Sequence, residues 1–147
     1  MEYKAWVVVA DSSRAKIFGA NARGGNLTEL ESYYHPESRM QEKEIFADRP
    51  GRFYSMQGEF RTAAEHTPVR KVEAVRFAQQ LVEHLNKNFQ NRKFERLVLV
   101  AAPGFLGTLR SQLSDKLRKA LGSEVDKDLS NLEKPEDIRK RLPEYLW

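Results

Sequence analysis

The sequence contains no cysteine, which excludes disulfide bonds, thiolate metal ligands and cysteine nucleophiles. It has no apolar run near the ~20 residues that a membrane-spanning helix requires. The only histidines, His35, His66 and His84, match no zinc-binding spacing. No cationic stretch followed by an apolar core and a cleavage site opens the chain. We therefore expect a cytoplasmic protein with no metal, no other cofactor and no membrane partner.

Familiar catalytic motifs are also missing. There is no Gly-x-Ser-x-Gly nucleophile elbow, and no glycine-rich phosphate loop precedes a Lys-Ser or Lys-Thr pair. Asp11 follows the first predicted strand, where an α/β nuclease would place a metal-binding carboxylate, but Glu95 and Asp126 give it no recognisable spacing. Because Asp side chains bond the backbone that follows them in turns, we interpret Asp11 as a turn residue.

The composition is that of one soluble domain, with 147 residues, 40% of them apolar and 31% charged. A formal charge of +4 leans towards a polyanionic partner, although a mildly basic solvated surface explains it equally well. The distribution is more informative than the total, because residues 49–71 contain five cations against two anions. These cations are Arg49, Arg52, Arg61, Arg70 and Lys71.

The first third of the chain predicts an antiparallel meander. Residues 6–10 form a short apolar run rich in β-branched side chains, which is typical of a strand covered on both faces. A turn leads to a second strand at residues 15–19. Gly24-Gly25 then predict a hairpin turn with positive φ, and residues 27–35 a third strand near the edge of the sheet.

The rest of the chain predicts α/β crossovers. Thr67 suits a helix N-cap with Pro68 after it, apolar residues then recur at helical spacing as far as Phe89, and Asn88 and Asn91 end the helix. A buried strand follows at residues 97–102. It leads through Pro103 into a second amphipathic helix that ends at Gly122.

A polar strand at residues 124–129 and a helix at 135–142 complete the predicted order, β-β-β-loop-α-β-α-β-α. An antiparallel meander followed by crossovers predicts an α/β fold with a mixed five-stranded sheet and packed helices.

Residues 36–67 show neither helical nor strand periodicity. Loops longer than about 12–15 residues are uncommon in compact domains and usually bind partners or act as lids. Arg49 and Arg52 flank a Pro-Gly pair, and Phe53 and Tyr54 follow directly. Arginine beside exposed aromatic rings suits phosphate binding with base stacking. Alternatively, the rings pack on the core and the charges are merely solvated.

Several motifs, in their order along the chain, resemble the bacterial host attachment protein family. They are the hairpin at residues 6–18, Asp48-Arg49-Pro50-Gly51-Arg52, Phe77-Ala78, residues 98–104, Asp128-Leu129-Ser130 and Pro135-Glu136-Asp137-Ile138. The resemblance covers nearly the whole chain. That family is in turn similar to the middle domain of archaeal and eukaryotic peptide-chain release factors and of Pelota, which implies one such domain over residues 1–147.

The resemblance also implies a role for residues 36–67. In release factors the corresponding loop enters the peptidyl-transferase centre and promotes peptidyl-tRNA hydrolysis through Gly-Gly-Gln. This loop has no Gly-Gly-Gln, and Gln57-Gly58 is the nearest match. The departure argues against an enzyme and leaves contact with a ribosome or structured RNA as the expected activity.

Three functions follow as hypotheses. The first is a non-enzymatic RNA- or ribosome-binding domain, in which the five cations of residues 49–71 neutralise phosphates and Phe53 or Tyr54 stacks on a base. The second is a release-factor-like hydrolase in which Gln57 positions water. The third is a host-cell attachment or protein-interaction module that uses the apolar residues of the loop.

Overall fold

A computed structural model describes residues 3–35 and 58–147 of the chain, with residues 58–70 described through their backbone alone. It confirms the predicted α/β fold with a mixed five-stranded sheet. The strands are β1 (Ala5–Asp11), β2 (Arg14–Ala20), β3 (Thr28–Tyr34), β4 (Arg96–Val100) and β5 (Leu121–Val125). The helices of this part are α1 (Gly58–Gln90), α2 (Pro103–Gln112), α3 (Asp115–Ala120) and α4 (Pro135–Lys140).

The strand order is β3-β2-β1-β4-β5, so β1 lies at the centre of the sheet. It pairs antiparallel with β2 and parallel with β4. Its first six residues are all buried, which explains why residues 5–10 form an uninterrupted apolar run. Among the residues that the structure describes, β3 pairs only with β2 and forms one edge of the sheet, as its more polar sequence predicts.

Both faces of the sheet are covered. On one face, α1, α2 and α3 pack against side chains such as Trp6, Val8 and Leu99. On the other face, α4 and the C-terminal tail cover alternate residues of the same strands, among them Val7 and Val98. Within residues 3–35 and 58–147, no helix is both long and apolar enough to cross a bilayer.

The first helix begins earlier than the sequence predicts. It starts at Gly58 and not after Thr67, so residues 58–67 of the predicted loop are helical and Pro68 lies inside α1. The capping prediction is therefore wrong. Residues 59–66 are rich in Glu, Ala and Arg, which favour helix strongly, and they extend the helix on the N-terminal side of the proline.

The second predicted helix is two helices. α2 ends at Gln112, and Ser114 caps α3 by accepting a hydrogen bond from the N–H of Leu117 at 3.2 Å. The polar strand predicted at 124–129 lies earlier, as β5, and Gly122 belongs to it. A Cβ at Gly122 would lie 2.6 Å from the Cβ of Trp147, so the close approach of the C-terminal tail requires glycine here.

The turn at Gly24-Gly25 does not need positive φ. In the described part of the chain no glycine has a positive φ. The N–H of Gly25 donates to the carbonyl oxygen of Ala22 at 3.0 Å, and its own carbonyl accepts a hydrogen bond from Nε of Arg139 at 2.8 Å. The segment is thus held by contact with the C-terminal region.

Candidate functional site

The carboxyl ends of β1, β3, β4 and β5 meet at one edge of the sheet, which we call the carboxyl edge. β1, β4 and β5 are mutually parallel, and β3 runs the same way because two antiparallel pairings separate it from β1. Ligands of α/β sheets bind outside the carboxyl ends of the strands. His35, the last described residue before position 36, lies at this edge.

The turn between β1 and β2 is organised around the carboxylate of Asp11. Its Oδ1 accepts hydrogen bonds from the backbone N–H groups of Ser13 at 2.8 Å and Arg14 at 2.9 Å. Its Oδ2 accepts from Nε of Arg14 at 3.2 Å and from the hydroxyl of the buried Ser130 at 2.8 Å. The predicted turn role of Asp11 is confirmed, and the same carboxylate also holds the loop that follows β5.

These hydrogen bonds set the charge of Asp11. Burial by itself would raise the pKa of this carboxyl group, but hydrogen bonds from Ser13, Ser130 and Arg14 outweigh burial and lower the pKa below its ordinary 3.8. The group is therefore ionised at neutral pH. Its oxygens are already occupied by protein donors, and no group of three or more His, Asp or Glu residues within residues 3–35 and 58–147 is arranged to hold a metal ion.

A second cluster ties the end of β3 to α1. Nε2 of His35 lies 3.1 Å from Oε1 of Glu73, and both side chains are buried. NH1 of Arg76 donates to Oε2 of Glu73 at 2.9 Å, while the ring of His35 stacks on Phe77 with 5.2 Å between centroids. The backbone N–H of His35 also donates to the carbonyl oxygen of Ser13 at 2.7 Å. The last described residue before position 36 is thus anchored by side chain and backbone.

Beside this cluster an aromatic cleft of about 250 Å³ opens between β3 and α1. Its lining residues are Tyr33, Tyr34, Phe77, Gln80, Leu81 and His84. Tyr34 is 60% exposed although it is a large aromatic residue, whereas Phe77 forms the buried floor. Gln80 is an exposed residue at the rim of the cleft, and its side chain carries an amide. The cleft can therefore take a flat ring against aromatic faces and offer it polar groups.

Glu31 fixes two of the residues that line this cleft. Its Oε1 lies 2.7 Å from Nε2 of His84 and accepts a hydrogen bond from the hydroxyl of Tyr33 at 3.0 Å. Burial, together with the neighbouring carboxylate of Glu31, raises the pKa of Tyr33 to about 12. The phenol therefore stays neutral and keeps its donor proton throughout the physiological range.

The predicted site residues are only partly within the described structure. Arg49, Arg52, Phe53, Tyr54 and the alternative catalytic residue Gln57 lie outside the described residues. Arg61 and Arg70 lie on α1, where only the backbone is described. Lys71 is described and is exposed on α1. The structure therefore tests neither the phosphate-binding nor the stacking prediction for this set.

Sequence reasoning missed two clusters at the carboxyl edge, the one around Asp11 and the one formed by His35 and Glu73. His35 and Glu73 are 38 positions apart, and Asp11 and Ser130 are 119 apart. Neither pair has a motif that marks it. Glu73 did carry one signal, because an acidic residue on the apolar face of an amphipathic helix needs a buried partner.

With this geometry in place, the comparison with known proteins is informative. The family model described as "Protein required for attachment to host cells" matches residues 6–142. The chain belongs to this family. The resemblance inferred from the sequence motifs is thereby confirmed.

One curated relative matches part of the chain. A segment of 66 residues is 32% identical to an uncharacterized protein of Rickettsia prowazekii (strain Madrid E). This match spans 44% of this chain and 44% of the relative. The chain thus covers less than half of that relative.

A solved structure shares the fold of this host-attachment-family protein. An archaeal translation termination factor, aRF1, matches with a TM-score of 0.50 and 11% sequence identity. The match covers 95% of this chain and 35% of the factor. A second structure, described as an archaeal protein, matches with a TM-score of 0.46 and 12% sequence identity. That match covers 95% of this chain and 34% of the archaeal protein. The likeness to the termination factor shows the fold and confirms the predicted release-factor-like architecture.

Proposed function

We propose that this protein binds structured RNA, most specifically that of the ribosome, through its carboxyl edge and without catalysing a reaction. One observation carries the proposal: Tyr34 exposes 60% of its surface beside the aromatic cleft, two positions before the predicted loop of residues 36–67. Sequence-specific RNA recognition uses unstacked bases that stack on aromatic side chains.

The chemistry of the cleft suits one base. Its volume of about 250 Å³ is smaller than the ~300–1,000 Å³ of sites for larger ligands, so it accommodates a single ring system. Tyr34 offers an exposed ring face, and Gln80 and His84 offer polar groups to the base edge. Glu31 holds His84 and Tyr33 in place, so a base entering the cleft would meet a preformed site.

The cations of residues 49–71 supply the phosphate contacts in this proposal. Lys71 is exposed on α1, and Arg49, Arg52, Arg61 and Arg70 are the predicted partners of further phosphates. Phe53 and Tyr54 are predicted to stack on a neighbouring base. The fold shared with a translation termination factor supports the ribosome as the source of the RNA. The absence of Gly-Gly-Gln from residues 36–67 supports binding without hydrolysis.

Cosedimentation of the purified protein with ribosomes over a salt series tests this function. Because neutralised phosphates release counterions, the bound fraction should fall steeply as salt rises. Tyr34→Ala should weaken binding roughly 5- to 150-fold, which is the value of one base–aromatic stack. Tyr34→Phe keeps the ring and should bind like the unchanged protein.

Tyr145 provides the matched control. It is 63% exposed in the C-terminal tail, which packs on the opposite face of the sheet, so Tyr145→Ala should not change ribosome binding. Binding that does not depend on salt, or that survives Tyr34→Ala unchanged, would contradict the proposal.

The description of the family favours a second function, a protein interaction required for attachment to host cells. The exposed apolar side chains of Tyr34 and Val72, which lie near the carboxyl edge, are suited to a protein partner. Cell fractionation discriminates between the two functions. A pool that is wholly cytosolic and bound to ribosomes favours RNA binding, and a pool on the cell surface favours attachment.

A further inference from the structure

A second cleft lies at the opposite end of the sheet, where β1 and β4 begin, which we call the amino edge. It is an open cleft of about 510 Å³ between the end of α1, the turn before β4 and the start of α3. Its lining residues are Phe89, Gln90, Arg92, Phe94, Glu95 and Lys116. This volume falls within the ~300–1,000 Å³ range of small-molecule sites.

The cleft has an excess of positive charge. Nζ of Lys4 lies 2.9 Å from Oε1 of Glu95, which neutralises the carboxylate in the lining. Arg92 and Lys116 are exposed, and neither has an ion-pair partner among the residues that the structure describes. Lys119 lies three positions after Lys116 on α3 and is also exposed, so it borders the same region. The cleft therefore attracts an anion.

The floor of the cleft ends a column of aromatic rings. Trp6 stacks on Phe94 with 4.7 Å between centroids, and Phe94 lies 5.4 Å from the half-buried ring of Phe89. The column is packed into the hydrophobic core at its inner end, which makes it rigid. A base placed on Phe89 would continue the column at its outer end.

The backbone at Arg92 adopts a left-handed conformation that is unfavourable for a residue with a side chain. The N–H of Lys93 donates to the carbonyl oxygen of Asn88, and the N–H of Arg92 to that of Phe89, both at 3.0 Å. This pair of bonds is the Schellman motif, whose left-handed position is usually glycine. Arg92 occupies that position with φ 59°, the one non-glycine positive φ among the described residues. Backbone strain of this kind clusters at functional sites.

We propose that the amino-edge cleft binds one nucleotide unit of single-stranded RNA. The base stacks on Phe89, and the phosphate lies between Arg92 and Lys116. A phosphate with a stacked base uses both the cations and the aromatic floor, whereas an anionic lipid headgroup would leave the ring face unused. The site goes beyond the carboxyl-edge function, because it lies at the other end of the sheet and uses none of its residues.

The test measures the affinity of a labelled, mixed-sequence single-stranded RNA oligonucleotide for the full chain by fluorescence anisotropy over a salt series. Arg92→Gly and Lys116→Ala should each weaken binding, and the two substitutions together should reduce the slope of log Kd against log salt by about 0.7, the value for one phosphate contact in a single strand. Arg92→Gly also relieves the positive φ, so it should raise the Tm while it lowers the affinity. A higher Tm together with a lower affinity would show that the loss of binding is not caused by a loss of folding stability.

Two further variants complete the design. Phe89→Leu keeps an apolar side chain against the core but removes the ring face, so it should lower the affinity without changing the salt slope. The control is the double variant Lys134→Ala/Lys140→Ala, whose exposed lysines flank and end α4 on the other face of the sheet. It removes as much charge as two single variants together and should leave both affinity and slope unchanged.

The outcomes distinguish this proposal from the carboxyl-edge function. Loss of oligonucleotide binding in the amino-edge variants, with the Lys134→Ala/Lys140→Ala control unaffected, supports the cleft whatever the ribosome experiment shows. The proposal is overturned if the unchanged protein does not bind the oligonucleotide, or if Arg92→Gly and Lys116→Ala bind it normally. It is also overturned if these variants lose binding only to phosphatidylserine vesicles, because the occupant is then a lipid.

Discussion

The two edges of the sheet use their charged residues differently. At the carboxyl edge, Asp11 and Glu73 are held by Arg14, His35 and Arg76 through hydrogen bonds and ion pairs. At the amino edge, one exposed ion pair occupies Glu95, and the neighbouring cations face solvent.

The difference shows what each edge contributes. Side chains that bond to one another fix the position of the backbone. At the carboxyl edge they anchor His35, which precedes the predicted loop of residues 36–67. Exposed cations around a cleft contribute little to stability, because solvent screens them, but they remain available to a ligand. Of the four predictions below, ordered by expected effect, the first three test whether the two edges are divided in this way.

Asp11→Ala should have the largest effect, because it removes the acceptor for the β1–β2 turn and for Ser130 together. Hydrogen bonds to a charged group contribute about 1.5–3 kcal/mol, so the free energy of unfolding should fall by about 2–3 kcal/mol. Urea denaturation measures it. Asp126→Ala, at an exposed residue after β5, is the control and should change stability by less than about 0.5 kcal/mol. If Asp11→Ala and Asp126→Ala lowered the free energy of unfolding equally, the hydrogen bonds to Asp11 would contribute nothing particular to stability.

Acid should diminish the contribution of Asp11. Its pKa is lowered in the folded protein, so its stabilising contribution is present above the unfolded value near 3.8 and is lost as the pH falls through the folded value. The unchanged protein should therefore exceed Asp11→Asn in stability at neutral pH, and the difference should shrink in acid. Denaturation curves at several pH values measure this. A difference that stays constant with pH would show that Asp11 is not held as a carboxylate.

Arg92→Gly should stabilise the amino edge. A left-handed conformation costs a residue with a side chain about 1–2 kcal/mol, and glycine avoids most of this cost, so the free energy of unfolding should rise by about 1 kcal/mol. Arg92→Ala removes the same charge but keeps the strained φ, and should show no such gain. If the two variants behave alike, the positive φ at this position stores no strain.

Gln57→Ala should have the smallest effect. We expect no peptidyl-tRNA hydrolysis from the unchanged protein, since residues 36–67 lack Gly-Gly-Gln, and hence no change on substitution. Release of the peptidyl group from purified ribosome complexes measures this, with a release factor as the positive control. Hydrolysis that disappears in Gln57→Ala would make the protein an enzyme.

Much of the fold was predictable from local patterns. The apolar run at residues 6–10 predicts a central strand because only a strand covered on both faces tolerates it, and β1 is that strand. The polar composition of β3 predicts its position at an edge. Helix boundaries were less predictable: at Pro68 the helix-favouring residues before the proline extend α1, and Ser114 caps a new helix inside an amphipathic stretch.

The candidate sites were predictable only in part. The cations and aromatic residues of positions 49–71 are visible in the sequence as a cluster, although most of their side chains lie outside the described residues. The aromatic cleft was not visible, because Tyr34 and Gln80 come from different elements and meet only through the packing of β3 against α1. The amino-edge cleft was missed for the same reason, since Arg92 and Lys116 lie on separate elements.

The sequence by itself determined the alternation of strands and helices, the family and the position of the cations in residues 49–71, because each depends on residues close together in the chain. The tertiary structure alone decided which charges are neutralised and which face solvent. Asp11 and Ser130 are distant in sequence, yet they share a hydrogen bond, whereas Arg92 stands at a helix end with its guanidinium exposed. The physical reason is that the environment of a charge depends on everything packed around it, and those neighbours are brought together only by folding.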